Sequence, residues 1–249
     1  MSSGSSVPWK KTKSTSDSTA VTSSKEPSSP STHTIPWTKV RESETPTMKP
    51  NWRVDVMFAI DCTGSMGGEI EGVKSAVIEF AGIIESDGIA IRLGLIEYRD
   101  RLNGEEPVLH TFDGNVFTEK PAQFREQVAC LNATGGGPEP ESTFDAILLA
   151  LRSIQDVSRT NALVVITDAP PHIPDKECSS TEQLIVEISE MRLDQLYIMY
   201  PQDKSNCAIY QKLLAGITGD AFDLRGGKDT FYDGLLSMSR TISTHTRIS

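Results

Sequence analysis

From residue 51 onward this chain alternates two hydrophobic rhythms, and neither is present before that point. Short, nearly unbroken apolar runs read as strands, and stretches with apolar residues three and four apart read as helices. The first run, Val54-Asp55-Val56-Met57-Phe58-Ala59-Ile60, predicts a strand over 53–60. A helix over 67–85 follows, with Ile70, Val73, Val77, Phe80, Ala81 and Ile84 on one face. The pattern continues with a strand over 89–98, a short strand Val108–Phe112 and a helix over 119–131. Next come a glycine loop at 135–137, a helix over 142–155 and the strand Ala162–Ile166. A helix over 180–191, the strand Leu196–Tyr200, a helix over 206–216, the strand Ala221–Leu224 and a C-terminal helix over 228–243 complete it. Strands that are apolar on both faces and alternate with helices imply an α/β fold. The expectation is a doubly wound, mostly parallel sheet with helices on both faces, with the short third strand as an antiparallel edge.

Residues 1–50 hold 22 Ser/Thr and six Pro with few aliphatic side chains. Such a segment buries too little apolar surface to offset its ordering entropy. It is expected to be a disordered tail, leaving 51–249 as the domain. Two short echoes, around Trp9 and Trp37, suit docking motifs for a partner but also arise by chance in a biased segment.

Charge is spread unevenly between these parts. The tail carries seven Lys/Arg against four Asp/Glu, a net +3, whereas residues 51–249 carry 17 against 30, a net −13. An acidic domain repels nucleic acid and anionic membrane, so neither is expected as a partner. No apolar run approaches the roughly 18–20 residues needed to span a bilayer, and membrane insertion is not expected. The start of the chain lacks the apolar core of a signal peptide. The four cysteines, Cys62, Cys130, Cys178 and Cys207, form no CxxC pair. Together these features suggest reduced thiols and an intracellular, cytoplasmic protein.

The chemistry concentrates in three segments at predicted strand ends or helix starts. The first is Asp61-x-Thr63-x-Ser65, directly after strand one. The second is Gly135-Gly136-Gly137-Pro138-Glu139-Pro140-Glu141-Ser142-Thr143, ahead of a helix. The third is Thr167-Asp168-Ala169-Pro170-Pro171-His172, after strand four. Open α/β sheets bind ligands beyond the carboxyl ends of their strands. An all-oxygen donor set suits a hard divalent cation, Mg2+ or Mn2+. Plainer readings exist for each piece: Asp61, Thr63 and Ser65 are also helix-capping types, and three glycines also make a turn. Thr63-Gly64-Ser65-Met66-Gly67-Gly68 lacks the lysine of a phosphate-binding loop.

The three segments, in this order, resemble the von Willebrand factor type A domain and its metal-ion-dependent adhesion site. The Asp61-Cys62-Thr63-Gly64-Ser65-Met66 form, Tyr98-Arg99-Asp100 and Asp168-Ala169-Pro170-Pro171-His172 are similar to a branch that includes domains attached to alpha-kinases. The resemblance implies a Rossmann-like sheet and a Mg2+ or Mn2+ ion held by Asp61, Thr63, Ser65, Thr143 and Asp168. It also implies a non-enzymatic module in which the ion bridges to a carboxylate of a protein partner. One departure bears on the ligands. The branch carries an Asp where this chain has Pro138, so Glu141 or Glu139 competes with Thr143 for the second-loop position. Two other functions fit less well. Asp61 could be the nucleophile of a phosphatase of the haloacid dehalogenase type, but such enzymes usually place a second acid where Thr63 stands. Alternatively, the domain could be a scaffold whose metal site has decayed.

Overall fold

A computed structural model of the chain describes residues 53–226, apart from 88–89 and 155, together with residues 233, 234 and 237. The tail expected over 1–50, with its tryptophan echoes, and nearly all of the helix expected over 228–243 lie outside the described residues.

The described part is one sheet with helices on both faces. Its elements are β1 (Arg53–Asp61), α1 (Ile70–Asp87), β2 (Ala90–Tyr98), β3 (Val108–Leu109), α2 (Pro121–Ala129) and α3 (Thr143–Ser153). They continue with β4 (Thr160–Ile166), α4 (Thr181–Glu190), β5 (Gln195–Tyr200), α5 (Ile209–Leu214) and β6 (Gly219–Asp223). The sheet order is β3-β2-β1-β4-β5-β6. All neighbours are parallel except β3, which runs antiparallel to β2 at the edge.

Central β1 shows why the sheet is covered twice. Val54, Val56, Phe58 and Ile60 point into a core with Val73, Val77 and Phe80 of α1 and Phe124 and Val128 of α2. Met57 and Ala59 point the other way, into a core with Phe144 and Ile147 of α3, Leu184 of α4 and Leu213 of α5. Phe58 lies 5.7 Å from Phe80, edge-on, and 5.5 Å from Phe124. At the amino end of β1, buried Asp55 is paired with Arg159 and Arg92, each at 2.5 Å.

Winding changes direction between β1 and β4. From β1 the chain builds outward through β2 to β3, then returns to the centre and builds through β4 to β6. A crevice therefore opens beyond the carboxyl ends of β1 and β4, the position where ligands bind in such sheets. Ile60 is level with Ile166 in the register, so Asp61 and Thr167 emerge side by side.

Some boundaries differ from expectation. The first helix starts at Ile70 because Gly64–Gly68 wind a tight 3-10 turn, and Gly67 and Gly68 favour no helix. The edge strand ends at Leu109, short of Phe112. There the chain turns back through Asp113 and Gly114, both in the left-handed region, to bring Thr118 beside Leu93. Among the described residues no helix is long and apolar enough to cross a membrane.

Candidate metal centre

The loop after β1 is built by its own side chains. Asp61 is fully buried, and its Oδ1 accepts from the Thr63 backbone N–H at 2.9 Å and from Thr63 Oγ1 at 2.7 Å. Thr63 Oγ1 lies 2.9 Å from Ser65 Oγ. Ser65 Oγ in turn donates to Asp168 Oδ1 at 2.9 Å, across 103 residues of chain. The two segments expected to meet do so, through a continuous line of four oxygens.

That line is short of hydrogen. Its three contacts, Asp61 to Thr63, Thr63 to Ser65 and Ser65 to Asp168, each need one proton, and two hydroxyls supply only two. With both acids ionised, one pair of oxygen lone pairs is left facing without a bridge. A proton on an acid makes up the deficit, and so does a cation.

The second loop closes against the first through its glycines. Gly135 and Gly136 both adopt left-handed backbone, and Gly64 N–H donates to Gly135 O at 3.0 Å. A Cβ on Gly136 would stand 2.9 Å from the Thr63 side chain and 3.2 Å from Glu141 Oε1. Glycine there lets the loop lie on the site. The loop then pairs with the segment after β4: Glu141 N–H donates to Pro170 O, and His172 N–H donates to Glu141 O, both at 2.9 Å.

This placement buries Glu141 beside the other acids. It is 1% exposed, and its Oε2 has no hydrogen-bond partner in the protein. Burial first, then the negative charges of Asp61, Asp100, Asp168 and Glu105, pushes its carboxyl up to about 8. Burial also raises Asp61 to about 6, against the lowering effect of hydrogen bonds from Thr63 and Thr167. Among the described residues no three His, Cys, Asp or Glu side chains are drawn close enough to enclose an ion by themselves. The oxygens gathered here are hydroxyls interleaved with carboxylates.

Thr143, at the start of α3, is fully buried. Its Oγ1 is 3.2 Å from Tyr98 OH and 3.1 Å from Tyr210 OH, and Tyr210 OH also donates to Ala169 O at 2.8 Å. Glu139 pairs with Lys204. Two supporting contacts were not singled out in the sequence. Thr167 Oγ1 donates to Asp61 Oδ2 at 2.7 Å, and Tyr210 reaches Thr143 from a different helix. Thr167 precedes Asp168 at a strand end, a position where a hydroxyl could have been suspected. Nothing in an apolar helix face marks Tyr210. Tyr98, Arg99 and His172 are structural: Arg99 pairs with Glu97 at 2.6 Å, and His172 Nε2 lies 3.1 Å from Asp100 Oδ1. Cys62 is buried, and burial pushes its thiol up to about 12, so it is no nucleophile.

A profile described as the von Willebrand factor A domain matches residues 55–204. The chain belongs to the von Willebrand factor A domain family. The alpha-protein kinase vwkA of Dictyostelium discoideum is 31% identical over 121 residues, covering 48% of this chain and 19% of that protein. The von Willebrand factor A domain-containing protein 7 of Homo sapiens is 30% identical over 152 residues, covering 59% and 15%. The chain thus spans less than a fifth of the length of either relative. Two solved structures share the A-domain fold at low identity. A von Willebrand factor type A structure from Catenulispora acidiphila has a TM-score of 0.56 at 15% identity, over 77% of this chain and 43% of that one. The pilus adhesin SpaC from Lactobacillus rhamnosus GG has a TM-score of 0.56 at 14% identity, over 78% and 30%. A domains are generally interaction modules without catalytic activity, and this membership separates the chain from the phosphatase reading.

Proposed function

We propose that this A domain is a divalent-cation-dependent protein-interaction module. In this reading Asp61, Thr63, Ser65 and Asp168 hold Mg2+ or Mn2+. The observation that carries it is the proton deficit along the line from Asp61 to Asp168. Hydroxyl oxygens with their hydrogens turned toward acids present lone pairs, which is the arrangement a hard cation requires.

For the second loop we favour Glu141 over Thr143. The Glu141 Oε2 atom is buried without a partner, a costly state for a carboxylate. The Thr143 hydroxyl already serves Tyr98 and Tyr210, and so braces the floor of the site. When bound, the ion supplies a positive centre whose open position suits a carboxylate of a partner protein. Thr167 fixes the orientation of Asp61, and the glycines at 135 and 136 hold the second loop against Thr63. An intracellular location belongs to the same reading, supported by four cysteines that are all unpaired.

Thermal unfolding with and without millimolar Mg2+ tests the metal. Ligation raises the melting temperature by mass action, about 2.7 kcal/mol at a hundredfold excess over Kd. Asp168→Ala removes that rise. A rise that persists in Asp168→Ala, or no rise in the wild-type chain, supports the decayed scaffold instead. Partner capture in Mg2+ and in chelator, comparing wild type with Asp61→Ala, then tests the bridge.

A further inference from the structure

We propose that Lys204 is a specificity-determining residue of this site, a second anchor for the incoming carboxylate, and that Glu139 occupies that anchor until a partner arrives. The proposal rests on the metal-dependent reading above and names what that reading leaves open, the feature that selects an acid.

Lys204 lies in the loop after β5, at the same sheet edge as the metal centre. Its Nζ donates to the backbone O of Asp168 at 2.7 Å, and so reaches the residue whose side chain ends the oxygen line. The same Nζ pairs with Glu139, from the tip of the second loop. Lys204 is 22% exposed and Glu139 is 35% exposed, so the pair sits at the rim where a visitor approaches. An ammonium has three donors, and a carboxylate accepts at two oxygens. A visiting carboxylate can therefore face the ion with one oxygen and accept from Lys204 with the other. Glu139 presents the same chemistry from within the chain, in a rim pair that solvent keeps weak and exchangeable. The arginines around the site have other partners: Arg99 with Glu97 and the carbonyls of Asn132 and Thr134, Arg101 with Asp145, and Arg225 with Glu69 and Asp203.

A purely structural tie predicts that removing either partner of the pair has the same effect. The anchor role predicts opposite effects, and this separates the two. Acetate serves as the probe and acetamide as its neutral counterpart, titrated into the full chain in Mg2+ and in chelator. Binding is followed by amide chemical shifts around Gly64 and Ser65. Lys204→Met is expected to weaken acetate binding about tenfold, Lys204→Arg to retain most of it, and Glu139→Gln to strengthen it several-fold. Acetamide should not bind. Mg2+ affinity is measured in parallel. Loss of a neighbouring positive charge should leave it equal or raise it, so weaker acetate binding cannot come from a lost ion. If wild type binds Mg2+ but not acetate, if Lys204→Met binds acetate as well as wild type does, or if Glu139→Gln weakens it as Lys204→Met does, the anchor role is overturned and the metal site stands. If Mg2+ itself fails to bind, the site reading falls and this inference falls with it.

Discussion

Replacing Glu141 by Gln isolates the electrostatic strain at the heart of the site. The Glu141 carboxyl titrates at about 8 in the folded chain against an ordinary 4.5, because it is buried among acids. A folded-state value above the unfolded one means that the folded chain binds more protons between these limits. Stability from this group is therefore complete below about pH 4.5 and is lost as pH rises through 8. Asp61, raised to about 6 from 3.8, loses most of its share lower down. His110, held above its ordinary 6.5 by Glu97, loses its share in the window from pH 6 to 8.5 in wild type and Glu141→Gln alike, so the difference between the two chains reports on Glu141. Across that window the protonation equilibrium shifts by nearly two units, worth about 2.5 kcal/mol at 1.36 kcal/mol per unit. For a domain of this size that is a fall of roughly 5–10 °C in melting temperature. The assay is calorimetric unfolding in chelator at pH 6 and pH 8.5. Wild type should lose this amount, Glu141→Gln should lose much less, and Mg2+ should abolish the wild-type loss. Equal losses in wild type and Glu141→Gln would refute the reasoning, since the strain would then lie elsewhere.

Other substitutions probe separate parts of the account. Gly136→Ala forces a side chain into left-handed backbone against Thr63, and should cost about 1–3 kcal/mol in unfolding experiments while weakening Mg2+ binding. Phe80→Ala empties the core beneath Phe58 and Phe124, and should cost about 3–5 kcal/mol while leaving the Mg2+-induced stabilisation intact. Asp55→Ala leaves the largely buried Arg159 with only the carbonyls of Val54 and Ala90 and no counter-charge from Asp55, and should cost about 3–5 kcal/mol by denaturant titration, again without touching the metal response.

Much of the architecture was legible in the chain because the strands of a doubly covered sheet need apolar residues on both faces. The run from Val54 to Ile60 could feed two cores only in that arrangement, and it does. Boundaries were less legible where glycine and turn chemistry override periodicity, as at Gly67-Gly68 and Asp113-Gly114. At the site, Asp61, Thr63 and Ser65 announced themselves through alternate spacing after a strand, and Asp168 through its matching position. The supporting hydroxyls did not. Thr167 meets Asp61 across 106 residues and Tyr210 meets Thr143 across 67, and a lone hydroxyl carries no periodic signature of its partner. The choice between Glu141 and Thr143 was likewise unreadable, because the two stand two residues apart at one helix start, both buried, and differ in hydrogen bonding: Glu141 Oε2 has no partner, whereas the Thr143 hydroxyl meets Tyr98 and Tyr210.

The most direct measurement is a crystal structure of the chain grown with Mn2+, whose anomalous scattering locates the ion without assumption. The account places a single Mn2+ among the oxygens of Asp61, Thr63, Ser65, Asp168 and Glu141, with a position left for an outside oxygen. A site free of anomalous signal at saturating Mn2+, with Thr63 and Ser65 still joined to a protonated acid, would contradict it.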